Sequence, residues 1–79
     1  MINWIEVTEE EYEEYQDEAV LAVNSSRSSI IGYIVRDTQH NRFICEDNRR
    51  SYITDVTHFI PIQVIIEELL KTLPNKKEE

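Results

Sequence analysis

The sequence predicts an α+β fold: an antiparallel meander of three to four strands with a short acidic N-terminal helix and an amphipathic C-terminal helix packed on the sheet. Three observations support it: a helix-capping pattern near the start, apolar runs broken by polar loops, and apolar residues at helical spacing near the end. Its 79 residues suit one domain, residues 1–74, with residues 75–79 as a frayed tail.

The first element is a helix from about Glu9 to Glu18. Thr8 and Glu11 have the spacing of a capping box, in which the threonine side chain caps the helix. Tyr12 and Tyr15 share one narrow stripe at helical periodicity, and the acidic residues spread over the opposite arc. We therefore expect the two tyrosines to hold the helix against the sheet.

Apolar runs then predict the strands of the meander. They read AVLAVN, SIIGYIVR, RFICE and SYITDVTHF, and polar loops separate them. The second run is apolar on both faces, which indicates a central strand covered on both sides. Gly32, the only glycine, predicts a bulge or a close backbone approach.

The stretch IPIQVIIEELLKTLP predicts the last helix, Gln63 to Leu73. Pro61 suits its first turn and Pro74 its end. Its apolar side chains recur at helical spacing, so we expect them to pack on the sheet: Ile62, Ile65, Ile66, Leu69 and Leu70. Replacing Ile66 or Leu69 by alanine would then cost about 2–5 kcal/mol.

The formal net charge of −8 is concentrated at the start of the chain. Residues 1–26 hold eight acidic residues and no basic one, and the remaining charges cancel. Such a patch repels nucleic acid and anionic lipid and attracts basic protein surfaces. The N-terminus lacks the features of a signal peptide and no run is long enough to span a membrane, so the expected location is the cytoplasm of the host cell.

Catalysis and metal binding are not expected, and neither is a cofactor. Cys45 with His58 or His40 is the available nucleophile and base pair, but Cys45 lies in an apolar strand-like run and is predicted to be structural. These three residues also lack a recognised metal-ligand spacing. Arg42, Arg49 and Arg50 either form an anion-binding spot or are loop cations in weak surface pairs.

Two short motifs resemble a known family. Trp4-Ile5-Glu6-Val7 and the segment from Val56 to Ile62, VTHFIPI, are similar to the opening and closing motifs of small phage and prophage proteins catalogued as domain of unknown function 551. VLAV and the glycine-containing strand lie between them in the expected order, over roughly residues 3–63. An acidic helix and a C-terminal helix depart from the family pattern. The resemblance implies a phage origin and a small β-rich fold, and no activity.

The acidic helix allows two interpretations, a solvated face or a binding face. Four like-charge pairs at i and i+4 would together cost about 1–2 kcal/mol. The charge spacing of about one per 2.4 Å approaches the value of about one per 1.7 Å in duplex DNA. The residues expected to bind the partner are Glu9, Glu10, Glu13, Glu14, Asp17 and Glu18.

The predicted function is therefore a non-catalytic inhibitor that mimics nucleic acid, of the anti-CRISPR or anti-restriction kind. Its expected partner is a basic, nucleic-acid-binding host protein, with no direct contact to nucleic acid or membrane. The alternative is a phage structural or assembly module that oligomerises through its C-terminal helix. The chain would be a monomer or a small homo-oligomer.

Overall fold

The computed structural model describes residues 2–74 and has an α+β architecture. The N-terminal part contains β1 (Ile5–Glu6), α1 (Glu9–Tyr15), β2 (Val20–Asn24) and β3 (Ser29–Asp37). The C-terminal part contains β4 (Arg42–Glu46), β5 (Tyr52–Thr54), β6 (Val56–Pro61) and α2 (Ile62–Leu70). The frayed tail predicted for residues 75–79 lies outside the described residues.

The six strands form one open antiparallel sheet in the order β1-β6-β2-β3-β4-β5. Strands β2 to β5 form the predicted meander, and β6 crosses back to pair with β2 on one side and β1 on the other. The sequence predicted three or four strands because it did not indicate the two-residue strand β1 and because Tyr52 to Phe59 reads as one run. Asp55 divides that run: it has a φ of 57°, and aspartate tolerates this left-handed conformation better than most residues.

Gly32 marks the point where β3 changes partner. Residues before it pair with β2, and residues from Tyr33 onward pair with β4. A Cβ atom built on Gly32 would lie 2.1 Å from the carbonyl oxygen of Glu46. The predicted close backbone approach is therefore confirmed, and a side chain has no room there.

The core lies on the inner face of the sheet. Its buried members are Val20, Ala22, Ile34, Cys45, Val56 and Phe59. The outer face of β3 is open: Ile31 and Tyr33 are 58% and 42% exposed. The prediction that both faces of this strand are covered is therefore wrong, because among residues 2–74 no element covers these two side chains.

The C-terminal helix packs on the sheet only in part: of the five side chains predicted to pack there, Ile62 and Ile65 are half-buried, whereas Ile66, Leu69 and Leu70 are exposed. It begins at Ile62, whose amide donates to the carbonyl of Ala19, and it contains no buried residue. After Leu70, the helical turn continues to Leu73 through hydrogen bonds from each amide to the carbonyl three residues earlier. The helix projects from β6, consistent with the elongated dimensions of 55 × 26 × 23 Å.

Two hairpin turns have the same construction. In the β2–β3 turn, the side-chain oxygen of Asn24 accepts from the amides of Ser26 and Ser28. In the β4–β5 turn, the Asp47 carboxylate accepts in the same way from the amides two and four residues later. The fourth residue of each turn is an arginine in the left-handed conformation, Arg27 with φ 66° and Arg50 with φ 70°.

Candidate protein-binding surfaces

Two tyrosines attach α1 to the sheet, as the sequence predicted. The rings of Tyr12 and Phe43 lie 5.3 Å apart, and those of Tyr15 and Phe59 lie 5.4 Å apart in an edge-to-face arrangement. Contacts of this kind contribute about 0.5–1.5 kcal/mol beyond the area they bury. The side of α1 that carries most of its carboxylates is therefore turned away from the core.

The helix begins as predicted and ends earlier. Thr8 caps it by accepting from the amide of Glu11 at 3.1 Å. It ends at Tyr15 instead of Glu18, so Asp17 and Glu18 lie in the turn that follows. Two of the four predicted helical like-charge pairs are therefore absent, and the repulsion falls to about 0.4–1 kcal/mol.

Glu9 differs from the other predicted partner-binding residues because it forms an ion pair with Arg36 of β3. The guanidinium carbon of Arg36 also lies 5.6 Å from the centre of the Phe43 ring, which contacts Tyr12. Glu9 thus helps to fix the start of α1 to the sheet. Of the six residues predicted to bind the partner, Glu9 therefore has a basic partner within the chain.

The other five residues predicted to bind the partner form one exposed surface, which we call the acidic surface: Glu10, Glu13, Glu14, Asp17 and Glu18. The amide of Glu18 donates to the carbonyl of Tyr15, which holds the turn residues close to the end of the helix. Within residues 2–74, none of these five carboxylates has a basic partner. The surface can therefore pair with cations of another molecule without first breaking an internal ion pair.

A second exposed surface lies on α2 and is apolar. Four side chains at positions i, i+3, i+4 and i+7 form it, and we call it the apolar stripe: Ile66 (43% exposed), Leu69 (61%), Leu70 (56%) and Leu73 (64%). Spacing of this kind is typical of a helix face that packs against another element. The sequence revealed the stripe but not that the sheet leaves it uncovered.

Cys45 is a buried residue of the core and not a reactive thiol. It is fully buried, and burial, together with the nearby acidic side chains of Glu46 and Asp47, raises the pKa of the thiol to about 11. A thiol with such a pKa is almost entirely protonated at neutral pH and is a poor nucleophile. His58 lies on the opposite face of the sheet, since its neighbour Phe59 points into the core.

The other candidate residues are dispersed. In the β3–β4 turn, the Asp37 carboxylate accepts from Arg42 and contacts His40, both at 2.9 Å, and the Arg42 guanidinium lowers the pKa of that carboxyl. Arg49 and Arg50 follow the other end of β4, about 13 Å away for a strand of this length. The three arginines therefore do not form a single anion-binding spot.

No metal site, membrane-spanning helix or known relative identifies a further function for residues 2–74. Across residues 2–74, no group of three or more His, Cys, Asp or Glu side chains is arranged to hold a metal ion. No helix in that range is long and apolar enough to cross a membrane. No family model, curated protein or solved structure matches the chain. The resemblance to domain of unknown function 551 stays a hypothesis.

Proposed function

We propose that this chain is a non-catalytic inhibitor whose acidic surface binds a basic protein in place of nucleic acid. The observation that carries the proposal is the exposure of five carboxylates on a helix and turn, without basic partners among the described residues. The tyrosine contacts hold this surface in place, so little order has to be created on binding.

Electrostatics favour a basic partner of this kind. α1 carries five acidic residues in seven positions, and Glu9 is paired with Arg36. The other four give about one uncompensated charge per 2.6 Å of helix, against about one per 1.7 Å in duplex DNA. A groove lined with lysine and arginine would attract the surface and lose that attraction as salt rises. The resemblance to phage proteins supports a host target, such as a CRISPR complex, a restriction enzyme or a transcription factor.

The test compares two variants of equal net charge. Glu10→Lys, Glu13→Lys and Glu14→Lys together change the acidic surface, whereas Glu6→Lys, Glu46→Lys and Glu67→Lys change exposed acidic residues elsewhere. Each triple variant moves the formal net charge from −8 to −2, because each replacement adds two positive charges. A nonspecific effect of charge would therefore be the same in both.

Wild-type protein and both variants would be immobilised and exposed to bacterial lysate at low and high salt. We expect wild-type protein and the control variant to retain DNA-binding proteins that duplex DNA displaces, and the acidic-surface variant to lose them. The proposal would be contradicted if both variants retained the same proteins equally, or if duplex DNA did not displace the proteins that the wild-type chain retains.

The exposure of the apolar stripe favours a second candidate, an assembly module in which α2 pairs with α2 of a second copy. The four exposed side chains present on the order of 400 Å² per chain, against about 800 Å² per partner in a stable interface. This area suits a weak dimer. The stripe lies beside Glu67 and the ion pair of Glu68 with Lys71, which carry a formal net charge of only −1.

Sedimentation velocity over a range of concentrations tests this second candidate. Pairing through the stripe predicts a dimer that increases with concentration, does not weaken at high salt and is lost in Leu69→Gln. Tyr52→Gln is the control, because it removes an equally exposed apolar side chain from β5. A monomer at every concentration, or equal effects of the two variants, would contradict pairing through α2.

A further inference from the structure

An open pocket of about 500 Å³ lies on the side of the sheet opposite the core. Trp4, the β2–β3 turn and the start of β6 form its walls. The lining side chains are Trp4, Val23, Asn24, Ser25, Arg27, Thr57 and His58. None of them is acidic, although the chain as a whole carries a net charge of −8.

The turn that carries Arg27 is well ordered by its own hydrogen bonds. Besides accepting from two amides, Asn24 donates through its side-chain nitrogen to the carbonyl of Thr54 at 3.1 Å, which ties the turn to β5. Arg27 occupies a left-handed position, where glycine would avoid a cost of about 1 kcal/mol. No carboxylate of residues 2–74 pairs with its guanidinium.

The other walls supply an aromatic surface and further polar groups. Trp4 is the only tryptophan and is 49% exposed, which leaves part of its indole open to solvent. The Nδ1 atom of His58 and the hydroxyl of Thr57 lie 3.0 Å apart, within hydrogen-bonding distance, at the pocket wall. An indole beside a guanidinium suits a flat ring that carries a negative charge, because the ring can stack and the anion can accept hydrogen bonds.

We infer that this pocket binds a small anionic aromatic ligand, a planar ring that carries a phosphate or carboxylate group, of which a mononucleotide is an example. The volume lies within the range of about 300–1,000 Å³ that is usual for small-molecule sites. Arg27 would contact the anion and Trp4 the ring. This site is separate from the acidic surface and does not depend on the function proposed for it.

The test uses the fluorescence of Trp4, which reports on the pocket directly because no other tryptophan is present. Adenosine monophosphate is titrated into the full chain, with adenosine and inorganic phosphate as partial ligands. We expect a saturable change of Trp4 fluorescence with adenosine monophosphate. Adenosine alone and phosphate alone should bind more weakly, and the nucleotide itself should bind more weakly at high salt.

The repeated turn supplies a matched control. Arg27→Gly removes the guanidinium from the pocket, and Arg50→Gly makes the same change at the same position of the β4–β5 turn, outside the pocket lining. Glycine suits both backbones, so both variants should fold. We expect the affinity to fall about tenfold in Arg27→Gly, equal to about 1.4 kcal/mol, and to stay unchanged in Arg50→Gly.

Three results would overturn the inference. They are no saturable signal at millimolar nucleotide, equal affinities of wild type and Arg27→Gly, or equal losses in the two glycine variants. In a second measurement, the indole N–H resonance of Trp4 should shift on binding in the NMR spectrum. Shifts confined to residues outside the pocket would also overturn it.

Discussion

Gly32→Ala should lower the free energy of unfolding, because the structure leaves no room for a side chain at Gly32. The added methyl carbon would lie 2.1 Å from the carbonyl oxygen of Glu46 and 2.6 Å from its carbonyl carbon, both backbone atoms of β4. A contact of about 3 Å or more requires the two strands to separate by roughly 1 Å where β3 changes partner. Overpacking typically costs about 1–3 kcal/mol, and here backbone atoms must move, so we expect about 3 kcal/mol or more.

Urea denaturation followed by circular dichroism measures this loss as a change in the free energy of unfolding. Ser29→Ala is the control, because Ser29 is an exposed residue of the same strand and its replacement should change stability by less than about 0.5 kcal/mol. If Gly32→Ala were also within about 0.5 kcal/mol of wild type, the close approach of β3 and β4 would be refuted.

Three further predictions follow from the packing of single side chains. Tyr15→Ala should lower the free energy of unfolding by about 1–3 kcal/mol, because its contact with Phe59 is lost. The control Glu14→Ala should change it by less than about 0.5 kcal/mol. Equal effects of the two variants in chemical denaturation would mean that α1 does not pack on the core. At neutral pH, Cys45 should react with a thiol reagent only when the chain unfolds, and rapid labelling of the native chain would contradict this. Because the pKa of Cys45 is raised in the folded chain, the thiol of the unfolded chain ionises first, so the free energy of unfolding should fall as pH rises from about 9 towards 11. Leu69→Ala should cost less than about 1 kcal/mol in the monomer, in place of the 2–5 kcal/mol expected for a buried leucine. A larger loss in thermal denaturation would mean that Leu69 is buried within the monomer.

Local chemistry made several features predictable from the sequence. Thr8 caps α1, Tyr12 and Tyr15 face the sheet, and Gly32 is a close approach, because each depends on the spacing of a few neighbouring residues. The burial of Cys45 followed in the same way from its apolar neighbours on β4.

The features that were not predictable depend on contacts between distant segments. Nothing local shows that β6 crosses back to β2, or that Arg36 of β3 reaches Glu9. Helical periodicity identifies the apolar face of α2 but does not tell which molecule covers it. The end of α1 at Tyr15 was also missed, since the acidic pattern continues through the turn and contains neither glycine nor proline.

The central claim is that the acidic surface binds a basic protein in place of nucleic acid. The most direct test is competition, with a DNA-binding protein captured by the wild-type chain and then purified with labelled duplex DNA. Fluorescence anisotropy should show that the wild-type chain and the Glu6/Glu46/Glu67 lysine variant displace the DNA, and that the Glu10/Glu13/Glu14 lysine variant does not. Displacement by all three proteins, or by none of them, would contradict the claim.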